Sequence, residues 1–407
     1  MCSFVRYYIP SMPEYTFFLG SHPRLSELEI TKVLGNRCRV ETVAAPLPLC
    51  VAKCEADIPE NLFDRLGGTD RVSIILGRQP QPWDAGTLLE KLSPLPKKWM
   101  LGLGTPDDRL KLNSLAFELK SGAQEQGSKL KFVLPKGNGA ELNAAQVIFN
   151  RLDQAPNAEL VLVPSAQEWW ALKTIWIQDI RAYEIRDTAR PARSGEVGML
   201  PPKLAQIMIN VAVGDAAEAT IFDPFCGMGT TLQEGQLMGY HMIGSDNNKK
   251  MVEATQVNLA WLAEHFDVSS DPVPKVFLHD AQQAFPKEMI GTVDAVVAEP
   301  HLGPPLRSPA FAKASAGRPL LQKLGTLYIQ AFRNFLPVLE TEGKVVFIFP
   351  AFAQKRGQDF VLFPEGILDA IEKLGYRRVH PFGSRQELLY ARPDAWVGRE
   401  LTLWKKK

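Results

Sequence analysis

The sequence predicts an α/β chain. Its C-terminal half forms a doubly wound parallel sheet with an antiparallel hairpin at its edge, behind two smaller α+β units. Three observations carry this. From Ala219 onward, short apolar runs (ATIFDP, HMIGSD, KVFLHD, VDAVVAEP, KVVFIFP) alternate with stretches of helical period. Strands that are apolar throughout belong to parallel sheets covered by helices on both faces. Near the end the spacing tightens to RRVHPFG, RQELLYARP and VGRELTLWK, which read as antiparallel strands. Finally, 407 residues exceed one ordinary domain.

Residues 1–13 read as a flexible leader, with Met12 as an alternative start. Over 14–80 a strand YTFFLG (15–20) precedes a helix through SELEITKVLG, with Ser26 as its cap. The β-rich VETVAAPLPLCVAKCE (40–55), a helix around NLFDRLGGTDRV and the strand SIILG (73–77) follow. That β-α-β-β-α-β order predicts a ferredoxin-like unit. The linker QPQPWDAG opens a second unit over 81–180. Its strands are KWMLGLG (98–104), KLKFVLP, AELVLVPS and WWALKTIWIQ; its helices are RLKLNSLAFELKSGAQ and ELNAAQVIFNRL. The third unit is 181–407.

Composition narrows the function classes. A hydrophobic share of 45% with 22% charge is that of a folded protein. No apolar run approaches the roughly 20 residues of a membrane span. The net charge of +1 excludes a molecule that attracts polyanions over its whole surface, so any RNA contact must be local. One candidate is Lys91 to Lys136, with nine basic residues against four acidic ones. Five cysteines without a CxxC pair predict reduced thiols in a cytosol, with Cys50 and Cys54 as buried small apolar residues. No HExxH occurs, and no metal is expected.

The loop IFDPFCGMGT (221–230) lies between a strand and a helix, where ligands of open α/β sheets sit. Gly227 and Gly229 leave backbone amides without a Cβ in front of them, and Asp223 can meet a cationic amino group. No Lys follows as a P-loop requires, and Leu232 stands where a dinucleotide fingerprint needs its last glycine, so the loop suits a ligand without a phosphate chain. Asp246 ends the next strand, seventeen residues after Gly229, spaced to hold the two ribose hydroxyls of an adenosine. Asp280 ends the third, within reach of an adenine amine, beside Ala281 and Gln282. A single strand-end Asp is usually only a helix cap; three around one crevice, with the glycine pair, point to a ligand.

DPFCGMGT, GSDNNKKMVEATQVN and HDA resemble the first three motifs of a class I, Rossmann-fold methyltransferase. RDTARPARSGEVGMLPPKLAQIMINVAV is similar to the segment that helps cover the cofactor in THUMP-containing tRNA guanine-N2 methyltransferases, and EYTFFLGSHPRLSELEI is similar to their ferredoxin-like N-terminus. The resemblance implies S-adenosyl-L-methionine as cofactor, held by Asp223, Phe225, Gly227, Gly229, Thr230, Asp246, Asn247, Asp280, Ala281 and Glu299. It further implies a THUMP-like domain over 81–180 and methylation of a guanosine amine in tRNA; the chain is expected in the cytoplasm, as a monomer or a dimer.

In that family the fourth strand ends in [DN]PP[YFW], where the acid and a carbonyl accept the amine's two protons and the aromatic stacks on the base. Here the chain reads AEPHLGPPL (298–306): Glu299 and Pro300 keep the acid and carbonyl, His301 replaces the second proline, and Leu302 replaces the aromatic. Glu299, Pro300 and His301 are the candidate catalytic residues. His301, Phe311 or Phe352 would have to supply the stacking. Beyond the motif, Arg307, Lys313, Arg318 and Lys323 occur without an acid, which suits a phosphodiester backbone. Lys97, Lys98, Lys129, Lys131 and Lys136 are candidate RNA contacts from the front half. Three other readings stay open: an rRNA guanine methyltransferase, a DNA amino-methyltransferase, or a cofactor- and RNA-binding protein whose chemistry decayed at EPHLG.

Overall fold

A computed structural model describes residues 13–43, 45–136, 141–193, 199–268, 273–303 and 318–407. Two compact units divide the chain. One takes residues up to 23, 34–64 and 68–181; the other takes 182–407 together with 24–33 and 65–67.

The first unit is built on one eight-stranded sheet. Its strands are β1 (Glu14–Leu19), β2 (Cys38–Val43), β3 (Leu49–Cys54), β4 (Thr69–Gln79), β5 (Lys98–Gly104), β6 (Lys129–Val133), β7 (Ala158–Pro164) and β8 (Trp169–Ile177). They lie in the order β2-β3-β1-β4-β8-β7-β5-β6. Strand β4, at eleven residues, pairs with β1 along one edge and β8 along the other. The sheet therefore runs without a break through both stretches that the sequence divides at residue 80. Two expectations need correction. The helix around NLFDRLGGTDRV is confined to Glu60–Phe63, because β4 begins at Thr69, directly after Gly67 and Gly68. The thiols of Cys38 and Cys54 are not free: antiparallel register sets the two opposite each other with Cα atoms 4.1 Å apart, and they form a disulfide. Cys50 remains a buried free thiol.

The second unit carries β9 (Thr220–Asp223), β10 (His241–Asp246), β11 (Lys275–Leu278), β12 (Val293–Ala298), β13 (Leu339–Lys355), β14 (Gln358–Val361), β15 (Tyr376–Val379), β16 (Leu389–Tyr390) and β17 (Val397–Lys406). The order β11-β10-β9-β12-β13-β17-β15 is parallel as far as β13. Strand β17 then runs antiparallel between β13 and β15, forming the expected edge pair. The chain moves outward from β9 through β10 to β11 and returns to β12 on the other side of β9. That reversal opens a crevice at the carboxyl ends of β9, β10 and β12. An aromatic core of Phe332, Phe335, Phe347, Phe349, Tyr376 and Trp404 holds one face of the sheet, and helix Pro202–Val213, buried along nearly its whole length, covers the other. Where β10 passes helix Thr230–Leu237, a Cβ on Gly244 would lie 2.6 Å from Leu232, so the helix can seat there only against glycine.

Candidate functional site

Strand β9 ends at Asp223, and the chain turns back over its own carboxylate, with Phe225 N donating to Asp223 Oδ1 at 3.0 Å. The next two glycines do different work. Gly227 has φ +52, and a Cβ there would approach nothing closer than Phe225 O at 3.9 Å, so its backbone faces open cleft. Gly229 has φ +82, and its Cβ would lie 2.8 Å from Thr255 on helix Lys249–His265. Its bareness serves helix packing and a left-handed cap rather than ligand approach, which corrects the reading of the pair as equivalent. Asp246 ties this loop to the next strand: Oδ2 accepts from Gly227 N at 3.1 Å and Oδ1 from Asn248 N at 2.9 Å.

Asp223, Phe225, Gly227, Thr230, Asp246, Asn247 and Glu299 all line one cleft. At the third strand tip Gln282 faces it instead of its neighbours. Asp280 turns to accept from Gln282 N at 2.9 Å, and Ala281 is buried, its carbonyl holding Asn334. Thr230 spends its hydroxyl on Arg190, at 2.7 Å. Arg186 likewise pairs with buried Glu234 at 2.8 Å. Both arginines dock the segment before the loop onto helix Thr230–Leu237, and Met199 and Leu200 at the far end of that segment reach the cleft.

Four acids and four bases line the cleft, and of the acids Asp223 and Asp246 have no cationic partner among the described residues. Asp223 is 2% exposed, and burial, aggravated by Asp246 and Glu299, pushes its carboxyl up to about 7 despite hydrogen bonds from Thr231 and Phe225. Burial also raises Asp246. A low-dielectric pocket that holds carboxylates against their own repulsion favours a cationic occupant.

Glu299, at the end of β12, differs from the aspartates in having a partner. Arg399 of β17 donates from Nε to Glu299 Oε1 at 2.5 Å, and its second nitrogen lies 3.4 Å from Oε2. Both side chains are nearly nine-tenths covered. Burial raises the Glu299 carboxyl, and Arg399 opposes it. This pair bridges one hundred residues of chain and leaves no trace in local sequence. Next to it, His301 lines the cleft; burial and Lys323 hold its imidazole below the ordinary value. Tyr328, fully buried among Phe347, Phe349 and Phe363, donates to His301 O at 2.7 Å and anchors the EPHLG turn. Tyr328→Phe removes one hydrogen bond and orphans a carbonyl, costing roughly 1–3 kcal/mol. The variant is expected to lose turnover while binding cofactor normally; steady-state kinetics beside calorimetric titration checks this, and unchanged turnover would remove Tyr328 from the loop's support.

Of the proposed stacking residues, Phe352 is only 5% exposed and is unavailable to a base, a correction to that expectation. Phe311, Arg307 and Lys313 lie outside the described residues, as does the side chain of Arg318, which opens helix Arg318–Val338. Lys323 lines the cleft. In the first unit Lys97, Lys98, Lys129, Lys131 and Lys136 are all exposed, and register sets Lys98 opposite Lys129. Trp83, Trp99, Trp169 and Trp170 are buried, and Trp176 donates to Asp64.

Comparison with known proteins bears on this site. A family model described as DNA methylase matches residues 149–257. A tRNA (guanine(10)-N2)-dimethyltransferase of Methanothermobacter thermautotrophicus is 38% identical over 106 residues, 26% of this chain and 28% of that protein. One from Pyrococcus abyssi is 28% identical over 186 residues, 46% of each. The chain thus spans less than half the length of these curated relatives. Among solved structures it is similar to TrmN from Thermus thermophilus, with a TM-score of 0.50 and 15% identity over 97% of this chain and 100% of that one. The fold is that of the Rossmann-like methyltransferases.

Proposed function

We propose that this chain is an S-adenosyl-L-methionine-dependent RNA methyltransferase that modifies the exocyclic N2 amine of a guanosine in tRNA in the cytoplasm. The observation that carries the reading is the cleft in which Asp223, Asp246 and the open Gly227 backbone meet Glu299 at adjacent strand ends. The residues fit the cofactor. Asp223, buried without a cation, suits the amino group of the methionine moiety, and Asp246, whose oxygens keep lone pairs beyond the two loop amides, suits the ribose diol. Gln282 takes the adenine-side position expected of Asp280.

The bound cofactor supplies a methyl on a positively charged sulfur. A base amine is a poor nucleophile because its lone pair is delocalised into the ring. Glu299 Oε2, the oxygen less committed to Arg399, and the carbonyl of Pro300 accept the two amine protons and turn the lone pair toward the methyl. When bound, the cofactor would supply the methyl and would keep the carbon–sulfur electron pair as a neutral thioether, so the transfer to the amine would balance. The ammonium-like nitrogen then gives a proton to Glu299, to water, or to His301, whose depressed imidazole is neutral near pH 7. The curated relatives' names support guanine N2 in tRNA over rRNA or DNA. A front-half contact through the lysines of β5 and β6 completes the reading.

The test is incubation of the full chain with methyl-labelled cofactor and unmodified tRNA, rRNA fragments or duplex DNA, followed by nucleoside mass spectrometry. N2-methylguanosine or N2,N2-dimethylguanosine from tRNA is expected. Label in N6-methyladenine of DNA, or in no nucleoside despite tight cofactor binding, overturns the proposal.

A further inference from the structure

One wall of the cleft is formed by the β13–β14 hairpin tip and the loop before β17, which hydrogen bonds hold together. Ala353 N donates to Trp396 O at 3.0 Å, Gly357 N to Ala395 O at 2.9 Å, and Arg356 Nε to Asp394 O at 3.0 Å. The two segments approach so closely that a Cβ on Gly357 would lie 1.7 Å from Pro393 O. This wall presents Trp396 to the cleft, with exposed Arg392 beside it.

Trp396 is set apart among the eight tryptophans. Five are buried in cores, Trp176 is bonded to Asp64, and Trp261 stacks on His265 at the outside of its helix. Trp396 alone lines the cleft, half-buried, in no recorded ring pair among the described residues. The EPHLG turn lacks an aromatic, since Leu302 occupies that position. A base amine held by Glu299 needs a flat surface to fix its ring plane. Three residues beyond Trp396, Arg399 grips Glu299 itself, so the indole and the amine-binding carboxylate hang on one short piece of chain.

We propose that Trp396 is the stacking platform of a nucleobase subsite, with Arg392 placed for the phosphate that flanks the base. The proposal rests on the methyltransferase reading and names the residue that orients its substrate's ring. An indole face takes any base, so the platform orients the target while Glu299 and Pro300 select the amine. A guanidinium next to a π face is also what a nucleotide, unlike a small apolar substrate, requires.

The test uses the full chain with S-adenosylhomocysteine present. Guanosine 5′-monophosphate is titrated while intrinsic fluorescence is read, in wild type, W396F and W396A. Quenching is expected in wild type, with that component gone in W396F. On unmodified tRNA, W396A should raise KM about tenfold to a hundredfold, the range for a lost base stack. W396F should restore KM, and S-adenosylhomocysteine affinity should stay level across all three. Superimposable wild-type and W396F titrations overturn the subsite, and so does a loss of S-adenosylhomocysteine affinity in W396A, which would move the indole to the cofactor pocket. A Trp396-dependent quench in a chain that methylates no guanosine of tRNA upholds the subsite and sinks the reaction proposed above.

Discussion

Asp223→Asn is expected to make the ligand-free protein more stable above pH 7 and, at the same time, to weaken cofactor binding about tenfold to a hundredfold. The two effects share one cause. Folding buries the carboxyl completely and raises it from 3.8 to about 7. A carboxyl raised on folding holds its proton more tightly in the folded state. The folded state is therefore favoured at low pH, loses ground as pH climbs from about 4, and bears the full penalty above 7. That penalty is on the order of 4 kcal/mol. Asparagine keeps the shape and the acceptor for Phe225 N but cannot ionise. Urea midpoints should rise in the variant at pH 8, and the gain should shrink toward pH 4. Binding runs the other way, because a cationic amino group loses its charged partner, worth about 1.5–3 kcal/mol. In wild type, affinity should climb between pH 5 and 7 as Asp223 ionises. A variant that loses stability at pH 8 would show Asp223 to be a structural carboxylate with a hidden partner, and the cationic pocket would go with it.

What could be read along the chain was whatever repeats at short range. Alternating apolar strands and helices from Ala219 on, the DPFCGMGT turn, and the acid at the tip of β10 are local patterns, and each sits where that pattern requires. What could not be read depends on register or long loops. No spacing rule sets Cys38 against Cys54, because the register of β2 and β3 decides it. Nothing near residue 80 announces that β4 will pair with β8 across a hundred residues. The two loop glycines look alike in sequence, and only the position of Thr255 tells ligand approach from helix packing. The same blindness hid Arg399 and Trp396. Trp396 lies in the loop just before β17 and Arg399 within that strand, and only the insertion of β17 beside β13 brings them to the cleft.

The Glu299–Arg399 pair should give the largest loss of turnover. Glu299→Gln keeps the side chain's length but can no longer hold both a guanidinium and an amine proton as an anion. We expect kcat to fall on the order of a hundredfold or more, as for loss of a positioned proton acceptor, with cofactor affinity within about twofold. Arg399→Ala tests how the carboxylate is kept ionised. Burial raises Glu299 and Arg399 is the chief opposing influence, so without Arg399 the carboxyl moves higher still. A carboxyl that ionises only at higher pH gives activity that is lost toward low pH and recovers as pH rises, so the acid limb of the kcat profile should shift to higher pH. Merely loosened packing would lower the whole profile without displacing it. Arg399→Lys, which keeps one charge but not the fork on both oxygens, should place the limb between the two. An acid limb that coincides in wild type and Arg399→Ala would mean that Glu299 is not the titrating acceptor, and the proton chemistry would pass to His301.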